Sequence, residues 1–257
     1  MLGDPRSQVI GVIPARFAST RLPGKPLLDE TGRPLIIHVV EAAKRCARLD
    51  RVIVATDDLR IRDVVAKFGY EVVMTKPDHP SGTDRVAEVA AAIPDARIVV
   101  NIQGDEPEIS PSAIDDMIAL LENDPQASMA TIATPIHDPE IYHDPSCVKV
   151  VLSQSGRALY FSRSPIPMHR DGLPQNQPLG LLHLGLYAYR RDFLMKLATL
   201  APSPLEQSEK LEQLRVLESG DSIAVGIVHE RSVGIDTPDD YRKFVERWNA
   251  LRASNAA

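Results

Sequence analysis

Short apolar segments alternate with amphipathic segments along the first half of the chain. The apolar segments are typical of buried strands and cover residues 9–13, 51–55, 71–74, 97–101 and 128–134. Apolar positions at helical spacing predict helices between them, over residues 35–47, 59–68, 81–92 and from about residue 112. This alternation predicts an α/β fold, a three-layer Rossmann-like structure with a mostly parallel sheet. Ligands of such a sheet bind in the loops that follow the carboxyl ends of the strands.

The regular alternation ends near residue 135. Residues 148–152 and 158–162 predict a β-hairpin, and residues 164–180 predict a long loop. Later elements are predicted as strands over 185–189 and 222–228, and as helices over 192–200, 206–218 and from about 238. We expect a single domain over residues 1–257, because the insertion at 136–180 is too short to fold alone. That insertion is predicted to be a dimerisation arm or a lid, since an isolated two-stranded hairpin is marginal in water.

Composition narrows the class of protein. The chain has 257 residues and a net charge of −6, which argues against a nucleic-acid partner bound through a basic surface. The only cysteines, Cys46 and Cys147, form neither a disulfide scaffold nor a zinc motif, and we expect thiols in a reducing cytoplasm. No stretch reaches the roughly 20 apolar residues of a membrane helix, and no apolar secretory run is seen near residue 1. We therefore expect a cytoplasmic protein with no membrane partner.

The loop after the first strand concentrates groups that bind phosphate. Arg16, Arg21 and Lys25 supply positive charge, and Ser19 and Thr20 supply hydroxyls. Cations and hydrogen-bond donors together suit a triphosphate. The spacing fits neither a Walker A loop nor a dinucleotide fingerprint. From composition alone, a solvated basic loop is an equally good interpretation.

Two carboxylates follow separate predicted strands. Asp105 comes after the strand at 97–101, and Asp236 is predicted to end another short strand. Two such carboxylates can jointly hold Mg²⁺, which proteins usually bind through one or two carboxylates plus substrate phosphates. Two structural alternatives remain open: an Asp-Glu-Pro turn at Asp105, and a cap of the last helix at Asp236.

Seven ordered motifs resemble one enzyme family. They are IPARFASTRLPGKPL from residue 13, HPSGTDR from 79, NIQGDEP from 101, YFSRSPIP from 160, HLGLYAYR from 183, SPLEQSEKLEQLRVLESG from 203 and GIDTPDDY from 234. Together they closely resemble the 3-deoxy-manno-octulosonate cytidylyltransferases, also called CMP-Kdo synthetases, over nearly the whole chain. The related CMP-sialate synthetases usually have a Gly-Gly-Ser-Lys run in the first loop.

The resemblance implies a fold of the nucleotide-diphospho-sugar transferase type and a reaction. CMP passes from CTP to the anomeric hydroxyl of the acidic sugar Kdo, with release of pyrophosphate, for lipopolysaccharide biosynthesis. It also implies Mg²⁺ as cofactor and a homodimer. The catalytic residues implied are Arg16, Lys25, Asp105 and Asp236, of which Asp105 and Asp236 bind the metal. The nucleotide-binding residues implied are Pro14, Ala15, Arg16, Ser19, Thr20, Arg21, Lys25, Ser81, Gly82, Arg85, Gln103 and Asp105.

The sugar-binding residues implied by the resemblance are Gln103, Arg163, His183, Tyr187, Glu212 and Gln213, with Glu209 as a further candidate. Periodicity alone favours a surface helix with Glu209, Glu212 and Gln213 on one face. Ser81 could instead cap a helix, Arg85 could be solvated, and His183 is more often a structural histidine. Many relatives have Arg where this chain has Leu182, so a substrate contact made by that Arg would be missing or replaced.

Several other functions remain open. The same chemistry could act on an 8-amino Kdo analogue or on sialic acid. A metal-dependent glycosyltransferase is disfavoured, because Asp105-Glu106-Pro107 offers no Asp-x-Asp pair. A sensor of sugar nucleotides would bind the same ligands without releasing pyrophosphate.

Overall fold

The computed structural model describes residues 8–18, 22–229 and 233–255. For residues 254 and 255 it describes the backbone only. The strands are β1 (Gln8–Ala15), β2 (Arg51–Thr56), β3 (Glu71–Met74), β4 (Ala96–Asn101), β5 (Met129–Ile136), β6 (Lys149–Leu152), β7 (Ala158–Ser162), β8 (Gly180–Arg190) and β9 (Ile223–Ile227). The helices are α1 (Leu35–Ala43), α2 (Leu59–Lys67), α3 (Gly82–Ala91), α4 (Pro111–Asn123), α5 (Pro139–His143), α6 (Arg191–Leu197), α7 (Pro204–Glu209), α8 (Gln213–Glu218) and α9 (Pro238–Asn255). A short 3-10 helix covers Lys25–Leu27.

The chain divides into two compact units. Among the described residues, the first unit contains those up to Ala96, then Asn101–Pro111, then those from 233 onwards. The second unit contains Arg97–Val100 and the described residues from Ser112 to 229. Whether the chain behaves as one domain, as the sequence predicts, remains a prediction.

In the first unit, β1, β2 and β3 are parallel, with Ile13 paired with Val54 and Thr56 with Met74. Residues 9–13 of β1 are all buried, so both faces of this strand are covered. Burial on both faces explains why the strand reads as a continuous apolar run rather than an alternating one. The mixed α/β fold and its central sheet of mostly parallel strands are confirmed.

In the second unit, β5 pairs antiparallel with β8 and parallel with β9. The strand predicted at 185–189 begins five residues earlier, at Gly180, because β8 pairs with β5 as far as the Ile136–Gly180 pair. The same end of β8 also pairs with β6, at Leu181 and Leu182, so pairing with two strands extends it.

The helix predicted over 206–218 is wrong. Helix α7 ends at Lys210, which adopts the left-handed conformation with φ of 55°, and α8 begins only at Gln213. Arg215 Nε donates a hydrogen bond to Glu206 at 2.7 Å. Nine residues of continuous helix would separate these positions by about 13.5 Å along the axis. The break therefore allows the ion pair, and the predicted common face of Glu209, Glu212 and Gln213 does not exist.

The insertion at 136–180 packs more closely than the sequence predicts. It contains α5, which was not predicted, and the β6–β7 hairpin pairs through β6 with β8. Val150 and Phe161 of this hairpin are buried within the unit. Leu159 remains 62% exposed because it points away from that core.

Candidate active site

The first unit contains a cavity of about 490 Å³ at the ends of β1 and β4. It is lined by Pro14, Ala15, Arg16, Ala18, Lys25, Pro26, Pro80, Ser81, Gly82, Gln103, Gly104, Asp105 and Asp236. Four loops supply these residues: those after β1 and β4, the one before α3, and the one before α9. The site therefore lies where a parallel sheet is expected to bind ligands.

Lys25 joins the two predicted metal ligands. Its Nζ donates to Asp105 Oδ2 at 2.7 Å and lies 3.3 Å from Asp236 Oδ1. A third hydrogen bond runs from Nζ to the Ile235 carbonyl at 2.8 Å. The lysine side chain is 13% exposed, whereas those of Asp105 and Asp236 are 30% and 45% exposed. The fold thus brings together a lysine and two carboxylates that are distant in sequence.

The backbone holds the two carboxylates near each other. The amide of Ile235 donates to the carbonyl of Asp105 at 2.9 Å, so the loop before α9 is fastened to the loop after β4. Asp236 does not cap α9. Thr237 and Asp240 do so: Asp240 Oδ2 accepts from the Thr237 amide at 2.9 Å, and Thr237 Oγ1 accepts from the Asp240 amide at 3.2 Å. The capping interpretation of Asp236 is therefore wrong.

The two carboxylates fit a magnesium ion only together with a ligand. Within the described ranges, no group of three or more His, Cys, Asp or Glu side chains could hold a metal ion. Two carboxylates and substrate phosphates are, however, a usual donor set for Mg²⁺. Asp105 and Asp236 are partly exposed to the cavity and suit this role.

Gly104 lets the loop after β4 approach β1 closely. A Cβ at this position would lie 2.7 Å from the carbonyl oxygen of Pro14, a distance that real Cβ atoms essentially never show. The absent side chain thus sets the spacing between the loop that carries Asp105 and the loop that carries Arg16.

We expect Gly104→Ala to displace Asp105 and reduce activity at least tenfold, because misplacement by about 1 Å can cost a hundredfold in rate. The change would be measured by steady-state kinetics beside thermal unfolding. Gly234→Ala is the matched control, since a Cβ there would meet no described atom within 4 Å and Gly234 has no role in the site. Equal activity of the two variants would show that the close approach does not position Asp105.

Helix α3 starts at the cavity. Ser81 is its N-cap: the hydroxyl oxygen accepts from the Asp84 amide at 3.1 Å, and the Asp84 carboxylate accepts from the Ser81 amide at 3.2 Å. Ser81 therefore caps the helix and also lines the cavity. The N-terminus of a helix favours a negatively charged ligand.

The first loop is described only in part. Pro14, Ala15, Arg16 and Lys25 line the cavity as predicted. Ser19, Thr20 and Arg21 lie outside the described residues. Arg16 Nη2 donates to the carbonyl of His79, which joins the first loop to the loop before α3. The Phe17 ring packs against the guanidinium of Arg60, whose Cζ lies 3.3 Å from the ring centroid. The same ring lies next to Gly24.

Arg85, predicted to bind nucleotide, is enclosed by protein. Its side chain is 0% exposed, Nη1 donates to Thr75 Oγ1, and Asp57 Oδ1 lies 3.1 Å away. Burial lowers the pKa of Arg85, and the Asp57 carboxylate opposes this shift. Nε and Nη2 have no hydrogen-bond partner among the described residues. Arg85 does not line the cavity, so it would reach a nucleotide only if its surroundings moved.

The predicted sugar-binding residues divide between the units. Gln103 lines the cavity of the first unit, whereas the others lie in the second. There, Arg163 donates from Nε to the carbonyl of Glu209 at 2.8 Å and from Nη1 to that of Pro145 at 3.0 Å. The Glu209 carboxylate accepts from the Ser162 hydroxyl at 2.6 Å and from the Arg163 amide at 3.0 Å. The fold thus brings Arg163 and Glu209 together.

His183 is held inside the second unit. The hydroxyl of Thr131 donates its one hydrogen to the Leu186 carbonyl. His183 Nε2 lies 2.9 Å from Thr131 Oγ1 and is therefore the donor in the hydrogen bond between them. Burial lowers the pKa of His183 to about 3, which keeps the ring neutral. Tyr187 lies beside it at 5.4 Å between ring centroids. Burial and the neighbouring Tyr189 and Glu212 raise the pKa of Tyr187. These contacts favour the structural interpretation of His183.

Gln213 and Leu182 are also buried in the second unit. Leu182 packs with Ile136, Tyr142 and Leu179, so its position contributes to an apolar cluster and not to a polar contact. Glu212 is partly exposed and lies next to the start of α8.

Sequence reasoning missed part of the cavity wall. Ala18, Pro26 and Pro80 line it although they had not been named as site residues, and the Ile235 carbonyl binds Lys25. Each is adjacent in sequence to a predicted residue. Their apolar or backbone character gives no chemical signal, so only position in the motifs could have identified them.

Comparison with known proteins shows the family to which this chain belongs. The family described as "Cytidylyltransferase" matches residues 10–223. The 3-deoxy-manno-octulosonate cytidylyltransferase of Syntrophotalea carbinolica is 51% identical over 238 residues, which are 90% of this chain and 95% of that protein. The chain belongs to the 3-deoxy-manno-octulosonate cytidylyltransferase family.

Other members of the cytidylyltransferase family support the assignment. The enzyme of the same name from Pelobacter propionicus is 48% identical over 253 residues, 95% of this chain and 99% of that protein. A solved structure of CMP:2-keto-3-deoxy-manno-octonic acid synthetase complexed with CTP is 43% identical, with a TM-score of 0.89 over 96% of this chain and 99% of that one. The resemblance found in the seven motifs is thus confirmed. No helix in the described part of the chain has the length and apolar character needed to cross a membrane.

Proposed function

We propose that this protein transfers CMP from CTP to the anomeric hydroxyl of Kdo, with release of pyrophosphate. The observation that carries the proposal is the cluster of Lys25, Asp105 and Asp236 in one cavity. Membership of the cytidylyltransferase family supports the choice of nucleotide and sugar. The reaction belongs to lipopolysaccharide biosynthesis, and we place it in the cytoplasm.

The residues of the cavity align two anions and neutralise their charge. Arg16 and Lys25 bind the triphosphate and stabilise the charge that develops on the leaving pyrophosphate. The N-terminus of α3 adds positive potential at Ser81 and Gly82. Because both substrates are negatively charged, alignment and neutralisation supply most of the rate enhancement.

Asp105 and Asp236 would hold Mg²⁺ together with the phosphates of CTP. When bound, the ion supplies Lewis-acid activation of the α-phosphate and of the attacking hydroxyl. Gln103 is the proposed sugar contact that lines the cavity. Arg163, Tyr187, Glu212 and Gln213 are further sugar-binding candidates, proposed from the family resemblance alone. His183 contributes by holding the β5–β8 region through Thr131.

Pyrophosphate release tests the function. Purified protein with Mg²⁺, CTP and Kdo should release one pyrophosphate per CMP-Kdo formed, and UTP, ATP or GTP should be much poorer donors. The base preference rests on family membership. Equal release from all four nucleotides would contradict a cytidylyltransferase, and tight binding without release would favour a sensor.

The acidic sugar is tested separately. An 8-amino Kdo analogue and sialic acid should each give a lower kcat/KM than Kdo in the same assay. A glycosyltransferase is the less favoured alternative, because the sequence after β4, Asp105-Glu106-Pro107, lacks an Asp-x-Asp pair. Such an enzyme would consume a sugar nucleotide and release no pyrophosphate from CTP.

We also propose a homodimer formed through the insertion at 136–180. Its surface includes a mainly apolar groove of about 550 Å³, lined by Val150, Val151, Leu152, Pro167, Gln177, Pro178, Gly180 and Leu181. Leu159 and Met168 are exposed on the same insertion. Light scattering at micromolar concentration should give twice the chain mass, and Leu159→Asp should shift the protein towards monomer. A monomeric wild type would refute the dimer.

A further inference from the structure

Lys25 occupies the place that a shared metal ion would need. Its ammonium lies 2.7 Å from Asp105 Oδ2 and 3.3 Å from Asp236 Oδ1. An ion bound by both carboxylates must also lie between them. A doubly charged ion and an ammonium cannot share this space, because they would repel each other at a few ångströms. Binding of the metal therefore requires the ammonium to leave.

The two carboxylates do not depend on the lysine for their approach. The Ile235 amide remains bonded to the Asp105 carbonyl at 2.9 Å, and the Asp236 amide to Asp240 Oδ2 at 3.2 Å. These two contacts remain when Lys25 leaves, although its hydrogen bond to the Ile235 carbonyl is lost. A displaced lysine would thus leave a pair of carboxylates in place, ready to bind a cation.

Lys25 also has a second partner available. It lines the same cavity as Arg16, Ser81 and Gly82, which together form the positive part of the wall. Its unbranched side chain carries a compact charge that can move between acceptors by rotation about its bonds. A triphosphate in this cavity would offer the ammonium new oxygen ligands.

We propose that Lys25 is an internal counter-cation that exchanges with the metal ion. Without nucleotide, its ammonium neutralises Asp105 and Asp236. When CTP enters with a divalent cation, the ammonium moves to phosphate oxygens and the cation takes its place between the carboxylates. The inference rests on the proposed function and adds a coupling between nucleotide and metal, which by linkage must be reciprocal.

The exchange predicts a gain of metal affinity on loss of the lysine. In nucleotide-free protein, Lys25→Met should bind Mn²⁺ about tenfold more tightly than the wild type, corresponding to about 1.4 kcal/mol. The measurement is a titration with Mn²⁺, followed by the electron paramagnetic resonance signal of the free ion. Catalytic activity does not enter this readout.

Two control variants show whether the change in Mn²⁺ affinity arises at this site. Arg16→Met removes a cation from the same cavity, but Arg16 bonds to the His79 carbonyl and not between the carboxylates. Its Mn²⁺ affinity should change less than about twofold, because a more distant charge in an open cavity is screened. Asp105→Asn in the Lys25→Met background should abolish the tight binding, which assigns the signal to this site. Circular dichroism and thermal unfolding establish that each variant is folded.

The coupling gives a second test. A CTP analogue with a methylene bridge between the α- and β-phosphates should tighten Mn²⁺ binding more in the wild type than in Lys25→Met, since only the wild type must release its lysine. Unchanged or weaker Mn²⁺ affinity in folded Lys25→Met, including no detectable binding, would overturn the exchange. That outcome leaves the proposed function intact if the wild type releases pyrophosphate from CTP and Kdo. Absence of pyrophosphate release would instead refute the function.

Discussion

Asp105→Asn and Asp236→Asn should each lower kcat/KM by on the order of a thousandfold while the fold persists. The carboxylates project into the cavity and are the described acidic residues that line it. Loss of one charge weakens the binding of Mg²⁺, and a metal ion stabilises the transition state by several kcal/mol. At 1.36 kcal/mol for each factor of ten, about 4 kcal/mol corresponds to that loss. Asparagine keeps the size of the side chain, so packing is preserved.

Asp239→Asn is the control for these variants. Asp239 lies three residues from Asp236 on α9, but it pairs with Arg242 and Lys243 on the surface. Its replacement should change activity by less than about twofold, since surface substitutions usually alter stability by under about 0.5 kcal/mol. Kinetics would be recorded over a range of Mg²⁺ concentrations, with thermal unfolding of each variant. Near-normal turnover of both Asp105→Asn and Asp236→Asn at low Mg²⁺ would eliminate the two-carboxylate site.

Lys25→Met should lower kcat/KM for CTP by about ten- to a hundredfold without altering the KM for Kdo. A hydrogen bond to a charged group is worth about 1.5–3 kcal/mol, which gives this range. Methionine keeps an unbranched side chain only one atom shorter than lysine, and it removes both the charge and the hydrogen-bond donors. The variant should therefore show two opposite effects: weaker use of CTP and tighter binding of the metal ion in the absence of nucleotide.

Lys67→Met serves as the matched control, because Lys67 is an exposed lysine at the end of α2 in the same unit. Steady-state kinetics with CTP and Kdo varied in turn would separate the two substrates. An effect confined to the Kdo parameters, or none at all, would show that Lys25 does not act on the triphosphate.

Local patterns predicted much of the first unit. Runs of apolar residues in β1 and β2 identified strands, because strands buried on both faces must be apolar at successive positions. Ser81 was recognised as a possible cap, since capping depends on residues within one helical turn. These features arise from contacts between near neighbours in the chain.

Predictions failed where distant residues decide the structure. The break at Lys210 accompanies an ion pair between Glu206 and Arg215, and burial of Val150 and Phe161 depends on the pairing of β6 with β7 and β8. The sequence correctly predicted helical and apolar segments. Neither feature indicates which other part of the protein will pack against a given residue. The burial of Arg85 escaped prediction for the same reason.

The chemical groups of the site were determined by the sequence, and their arrangement by the tertiary structure. The sequence alone placed Lys25, Asp105 and Asp236 in loops beside predicted strands, and its seven motifs indicated the family. It did not show that Lys25 lies between the carboxylates, since these contacts span 80 and 211 residues. The loops after β1 and β4 bring Lys25 and Asp105 together at the cavity. Residues 233–236 do not form the predicted short strand, and the hydrogen bond from the Ile235 amide to the Asp105 carbonyl holds Asp236 beside them. The ammonium then finds its partners because three partly desolvated charges are most stable when they neutralise one another.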